Sequence, residues 1–175
     1  MIFRLSQKLN TKIKAGTLLT LPLDENPLAD WSAHLFLADR TQYILLSNTK
    51  SLYSTVMFGK GITNDNQFIE RALSSIREYM EDDGHGAAYE RFIAPASGTV
   101  KFAKALNRSV TGSMNDMTKH AEYWLVSEEL SPFEIGSRLK EIPMSGLKHG
   151  GSPYGFPRDV FEELVEKAAM QRVSE

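Results

Sequence analysis

The sequence predicts an α+β domain, an antiparallel sheet of about four to five strands packed against helices. Three observations carry that expectation. Two apolar runs, Trp31 to Ala38 and Tyr43 to Asn48, flank the hairpin-length link Asp39-Arg40-Thr41-Gln42, and a third run at Thr55 to Phe58 follows closely. Strands so near one another in sequence fit an antiparallel meander. Asn64 to Asp82 then places Phe68, Ala72, Leu73, Ile76 and Met80 on one helical stripe behind a capping asparagine. From Asn107 to about Val126 the same spacing returns in Val110, Met114, Met117, Ala121, Trp124 and Leu125.

The other elements follow in chain order. Ser6 to Lys14 is a short helix capped by Ser6, with Leu5, Leu9 and Ile13 at four-residue spacing and a basic surface from Arg4, Lys8, Lys12 and Lys14. Leu18 to Pro27 reads as a loop, since Pro22 and the Asn26-Pro27 step oppose regular structure. Alternation is weak in Leu35-Phe36-Leu37 and in Ile44-Leu45-Leu46, as expected for strands covered on both faces. Gly59-Lys60-Gly61 closes the third strand, and Asp82-Asp83-Gly84 stops the long helix. Tyr89 to Ala94 and Thr99 to Ala103 read as two further strands around Pro95-Ala96-Ser97-Gly98. Ser131-Pro132 opens a short helix with Ile135 and Leu139 inward, because proline suits a first helical turn. Ser145 to Pro157 holds four glycines, two prolines and His149, a ligand-gated loop or a linker. The expected organisation is a core over residues 1–145, a glycine- and proline-rich loop over 146–157, and a helix over 158–175. That last helix, with Val160, Phe161, Leu164, Val165 and Ala168, belongs to the same domain or to a partner interface.

Composition narrows the function classes. The chain has 175 residues, a net charge of −2 and no cysteine, which removes disulfides, thiolate metal sites and cysteine nucleophiles. No apolar window reaches the length of a membrane span, so the expected setting is cytoplasmic, without a membrane. No cofactor motif is present: Gly59-Lys60-Gly61 lacks phosphate-loop spacing, and no Gly-x-Ser-x-Gly elbow occurs. Asp82-Asp83-Gly84-His85 has no metal-ligand spacing and reads as a solvated turn, and His34 reads as a core or edge histidine.

The densest concentration of small polar groups is Asn107 to Asp116. With Asn107 as cap, free N–H groups at the helix start, the Arg108 guanidinium, Ser109 and Ser113 form a candidate ligand-binding surface for an anion, with Lys101 and Lys104 just upstream. The bland alternative is that Gly112 and Ser113 let another element approach closely. Asp116 and His120 share a helical face and are the candidate acid–base pair, with Glu90 or Arg91 as a possible third member; a surface salt bridge is the competing account.

Four segments carry a resemblance: Arg4-Leu5-Ser6 with Lys8-Leu9, Trp31 through Phe36, Asn48-Thr49 with Ser51-Leu52-Tyr53, and Asn107-Arg108-Ser109 with Gly112 through Asp116. Together they resemble an uncharacterised bacterial domain family with an Asn-Arg-Ser-x-x-Gly-Ser-Met-Asn-Asp signature. The likeness spans most of residues 1–145 and implies a bacterial single-domain protein, with no catalytic residue to transfer. Three functional readings follow. The first is a non-enzymatic binding or regulatory module for an anionic ligand, nucleic acid or partner. The second is a hydrolase or transferase acting on a phosphorylated or nucleic-acid substrate. The third is an interaction protein forming a homo-oligomer through its last helix.

Overall fold

A computed structural model describes residues 1–173 of the chain. Its five strands are β1 (Ile2–Leu5), β2 (Asp30–Ala38), β3 (Thr41–Asn48), β4 (Ser54–Phe58) and β5 (Lys101–Ala103), joined in one sheet in the order β4-β3-β2-β1-β5. The meander is present: β2 to β3 and β3 to β4 are antiparallel, with Phe36 opposite Tyr43 and Tyr43 opposite Phe58.

The sheet is nevertheless mixed, which corrects the antiparallel expectation. Strand β1 lies parallel to β2, with Leu5 opposite Ala33, and β5 lies parallel to β1, with Phe102 opposite Phe3. Parallel neighbours need a long return connection. Helix α1 (Gln7–Ile13) and the loop after it supply that return between β1 and β2. Residues 2–5 were not readable as a strand because Arg4 stands among Ile2, Phe3 and Leu5 like a surface base. All four are buried.

Ser6 caps α1 by accepting from the Leu9 N–H at 3.4 Å, and Lys14 ends it in the left-handed region at φ 57°. Asn64 caps α2 (Asp65–Asp82), accepting from the Gln67 N–H at 2.9 Å. Ser131 and Glu134 form a capping box on α5 (Pro132–Leu139).

Tyr89 to Ala94 is helical rather than a strand. After the one-turn α3 (Gly86–Ala88), residues Tyr89–Ile93 form a π turn closed by the Ala94 N–H on the Tyr89 carbonyl at 2.9 Å, followed by a 3-10 turn over Pro95–Gly98. The buried members Tyr89, Phe92 and Ile93 stand three and four apart, which is helical spacing.

Two cores sandwich the sheet. On one face Phe3, Leu5, Trp31, Ile44 and Leu46 pack with Leu9 and Ile13 of α1 and with Phe68, Ala72 and Ile76 of α2. On the other, Leu45 and Val56 meet Met114, Met117 and Ala121 of α4 (Arg108–Ser127) and Ile135 and Leu139 of α5. Gly136 lets α5 close on β4: a Cβ there would stand 3.0 Å from the Ser54 carbonyl oxygen and 2.9 Å from the Tyr79 ring.

The glycine-rich segment is a hydrogen-bonded hairpin. The Met144 N–H donates to the Gly155 carbonyl at 2.8 Å and the reverse bond is 3.1 Å, while Gly150 and Gly151 turn the chain at φ 56° and 79°. Helix α6 (Pro157–Val173) follows, and its Phe161 is buried in the first core, stacked on Tyr53 at 4.1 Å between ring centroids. Among the described residues no helix is long and apolar enough to cross a membrane.

Candidate functional site

The residues expected at the start of α4 have different surroundings. Asn107 caps the helix, accepting from the Val110 N–H at 3.0 Å. Ser109 and Ser113 face the chain's own hairpin: a Cβ on Gly146 would lie 3.3 and 3.0 Å from their hydroxyl oxygens. Gly112 has open space where a side chain would be, so it is not the point of close approach. Arg108 is exposed and has no hydrogen bond or ion pair among the described residues.

The basic side chains are also dispersed. Lys101 lines a recess beside Met1 and Asp24, whereas Lys104 lines another beside Asn10 and Gly16. Arg4 is no surface base at all. It is buried and paired with Asp30 at 2.8 Å, and Lys12 is spent on the Gln42 side-chain oxygen at 2.7 Å.

Asp116 and His120 do line one recess, of about 350 Å³, with Ser113, Met144 and Tyr154. They do not hydrogen-bond each other. Lys119 reaches Asp116 at 3.4 Å, and the His120 ring sits 5.6 Å from that of Trp124. Glu90 pairs with Arg77 of α2 at 2.9 Å, across the sheet from α4, so neither it nor Arg91 completes the pair. No three His, Cys, Asp or Glu side chains among the described residues converge as metal ligands.

A different place has the shape of a binding site. Strand β1 ends at Leu5 while β2 runs on to Ala38. The chain turns away at Ser6, whose N–H donates to the Ala33 carbonyl at 3.0 Å and whose hydroxyl accepts from the Leu35 N–H at 3.4 Å. Beyond that point the β1 side of β2 has no strand neighbour among the described residues. Backbone direction alternates along a strand, so the Leu35 carbonyl and the Leu37 N–H face the vacated lane.

A groove of about 640 Å³ follows that lane. Its floor is His34 through Leu37; Gln7, Lys8 and Thr11 of α1 form one wall, and Asn115, Thr118 and Glu122 of α4 form the other. The walls belong to opposite layers, because α1 packs on the first core and α4 on the second.

His34 is the groove's distinctive polar group. Burial pushes its pKa below the ordinary 6.5, which favours the neutral ring. The ring has no hydrogen-bond partner among the described residues, leaving one donor and one acceptor for a ligand. The sequence reads it as a core or edge histidine and gives it no ligand role. The available signal was the two-residue period that puts His34 on one face with Ser32 and Phe36; the early end of β1, which opens the site, left no local mark.

A stability effect follows from the lowered pKa. The unfolded chain takes up the His34 proton near 6.5, before the folded chain does, so folding is favoured above that pH and loses ground as pH falls through 6.5 toward the depressed value. Urea midpoints measured between pH 7.5 and 5.5 should therefore fall more for the native protein than for His34→Gln. Parallel pH profiles for the two proteins would remove this account of the ring.

Three of the four segments on which the family resemblance rests meet in this groove: Lys8 from the first, His34 to Phe36 from the second, and Asn115 from the last. No curated protein matches the chain at a significant level. Residues 2–160 match a family described as Domain of unknown function (DUF6933), a stretch running from β1 to the first turn of α6. Since that stretch is most of the chain, the protein belongs to this family of domains of unknown function.

Proposed function

We propose that this protein is a non-enzymatic binding module whose ligand seats in the groove between α1 and α4. The observation that carries the reading is His34: a half-buried ring with unspent hydrogen-bonding capacity, on the floor of a groove where backbone groups of β2 also face outward. Ligand sites combine an apolar floor with a few fixed polar groups, and Phe36 and Leu37 beside His34, Thr118 and Asn115 supply that mixture. The reading takes Asn107 to Asp116 as the family's signature segment and the setting as the bacterial cytoplasm, where a chain without cysteine needs no disulfide.

Titrating ¹⁵N-labelled protein with a pool of short peptides and small polar amides tests this. The expected result is amide shifts gathered at His34, Phe36, Asn115 and Thr118, abolished in Thr118→Trp, which fills the groove. Shifts gathered instead at Asp116 and His120, or none anywhere, would overturn it.

One observation favours a second reading. Arg108 in the first turn of α4, unpaired among the described residues, is suited to an anionic ligand or nucleic acid, with Ser109 and Ser113 nearby. On that reading Arg108→Ala elutes from heparin at lower salt than the native protein, and equal elution counts against it. The hydrolase or transferase reading named Asp116 and His120, and these two are engaged with Lys119 and Trp124 rather than with each other. Assembly through α6 is not favoured by its apolar residues Phe161, Leu164, Val165 and Ala168, which pack on the chain's own core and leave Met170 exposed.

A further inference from the structure

We propose that the ligand of the groove is an extended peptide segment that adds to the sheet as a strand beside β2. This rests on the binding-module reading above and names the chemistry of its ligand.

Three features point to a strand rather than a compact small molecule. The first is the backbone edge itself. The Leu35 carbonyl and Leu37 N–H face the lane that β1 vacates at Ser6, and an edge of this kind is a template for another chain's main-chain groups. The second is its dimensions. Residues 35–38 of β2 offer about 13 Å at about 3.3 Å per residue, enough to pair with roughly four peptide residues. Leu37, 57% exposed, would be covered by the added strand.

The third is the charge on the two walls. Successive side chains of a strand point to opposite faces, so one peptide residue would face α1 and the next would face α4. Lys8 stands on the α1 wall and Glu122 on the α4 wall. The complementary occupant therefore carries an acidic residue next to a basic one, the acid toward Lys8 and the base toward Glu122. Gln7 and Thr11 on one side, and Asn115 and Thr118 on the other, supply neutral hydrogen-bonding partners for the flanking residues. His34, neutral, adds a donor and an acceptor on the α4 side without a charge of its own.

The test uses a capped hexapeptide, acetyl-Val-Thr-Glu-Arg-Val-Thr-amide, and the same peptide N-methylated at alternate residues, which keeps the side chains and deletes main-chain donors. Binding is read as amide shifts at His34 and Asn115, and strand pairing as slowed hydrogen exchange at the Leu37 N–H. The expected result is binding of the parent peptide with Leu37 protected, and about tenfold or greater weakening on methylation, in keeping with the loss of one or two main-chain hydrogen bonds. The double charge reversal Lys8→Glu with Glu122→Lys should then prefer the peptide with Arg and Glu exchanged.

Equal binding of the methylated peptide, or groove shifts with polar amides but with no peptide, overturns strand addition and leaves the binding-module reading standing. An absence of groove shifts with peptides and amides alike defeats both. Self-pairing of β2 edges, seen as a concentration-dependent dimer that the peptide does not dissociate, also overturns the proposal.

Discussion

Replacing Arg4 with methionine should destabilise the protein by about 3–5 kcal/mol, the range for removing one member of a buried ion pair. All five guanidinium protons are committed. Nε donates to Asp30 Oδ1 at 2.8 Å, and Nη2 donates to Asp30 Oδ2 at 2.8 Å and to the Pro22 carbonyl at 2.7 Å. Nη1 donates to the carbonyls of Leu21 and Lys104 at 3.0 and 3.2 Å. One side chain thus ties β1 to β2, to the loop before β2 and to the end of β5. Both Arg4 and Asp30 are almost wholly excluded from water, at 1% and 0% exposure. Without Arg4, the Asp30 carboxylate retains the Asp24 N–H at 3.0 Å and loses its countercharge.

At about 2–4 °C per kcal/mol for a chain of this size, the melting temperature should fall by roughly 6–20 °C. The double variant Arg4→Met with Asp30→Leu should recover part of the loss, because it removes the stranded carboxylate. Recovery stays incomplete, since the carbonyls of Leu21, Pro22 and Lys104 still lose their donor. Urea midpoints at constant m-value measure both. A single variant within 1 kcal/mol of the native protein would show that the pair does not hold these segments together.

Truncating Phe161 to alanine should cost about 3–5 kcal/mol, the usual range for emptying a buried aromatic site. The ring lies flat on Tyr53, with planes 9° apart, and meets the edge of His85 at 5.4 Å. Tyr53 is itself pinned, its hydroxyl donating to Asp83 at 2.8 Å, and burial raises its pKa far above the ordinary phenol value. The cavity left by Phe161 would therefore have walls that cannot readily collapse. A chain ending at residue 160, where the family match also ends, should be destabilised at least as much, because Leu164, Val165 and Ala168 are lost with the ring. Thermal unfolding and dye binding to exposed apolar surface check both variants. A shortened chain as stable as the full one would make α6 an accessory rather than part of the core.

Local features were the legible part of this protein. Ser6, Asn64 and Asn107 could each be named as helix caps because a cap is satisfied by an N–H three residues ahead. The β2–β3–β4 meander was legible for a similar reason: short links leave neighbouring strands little choice but to pair antiparallel. Tyr89 to Ala94 misled because aromatic and β-branched residues suit strands by type, while the spacing of Tyr89, Phe92 and Ile93 was helical.

The candidate site was much less legible. The small residues of α4 stood out for composition, yet Ser109 and Ser113 are small because Gly146 of the chain's own hairpin lies against them. His34 was visible as a residue and invisible as a site.

The amino-acid sequence alone therefore specifies the capped helices and the β2–β3–β4 meander, because capping, periodicity and short turns are settled by atoms a few residues apart. The tertiary structure alone decided the rest. It set β1 parallel between β2 and β5, and it joined Arg4 to Asp30 and Lys104 across 26 and 100 residues of chain. It also left the lane beside Leu35 and Leu37 empty. Those outcomes depend on which distant surfaces exclude water together, and no local pattern of residue types encodes that choice.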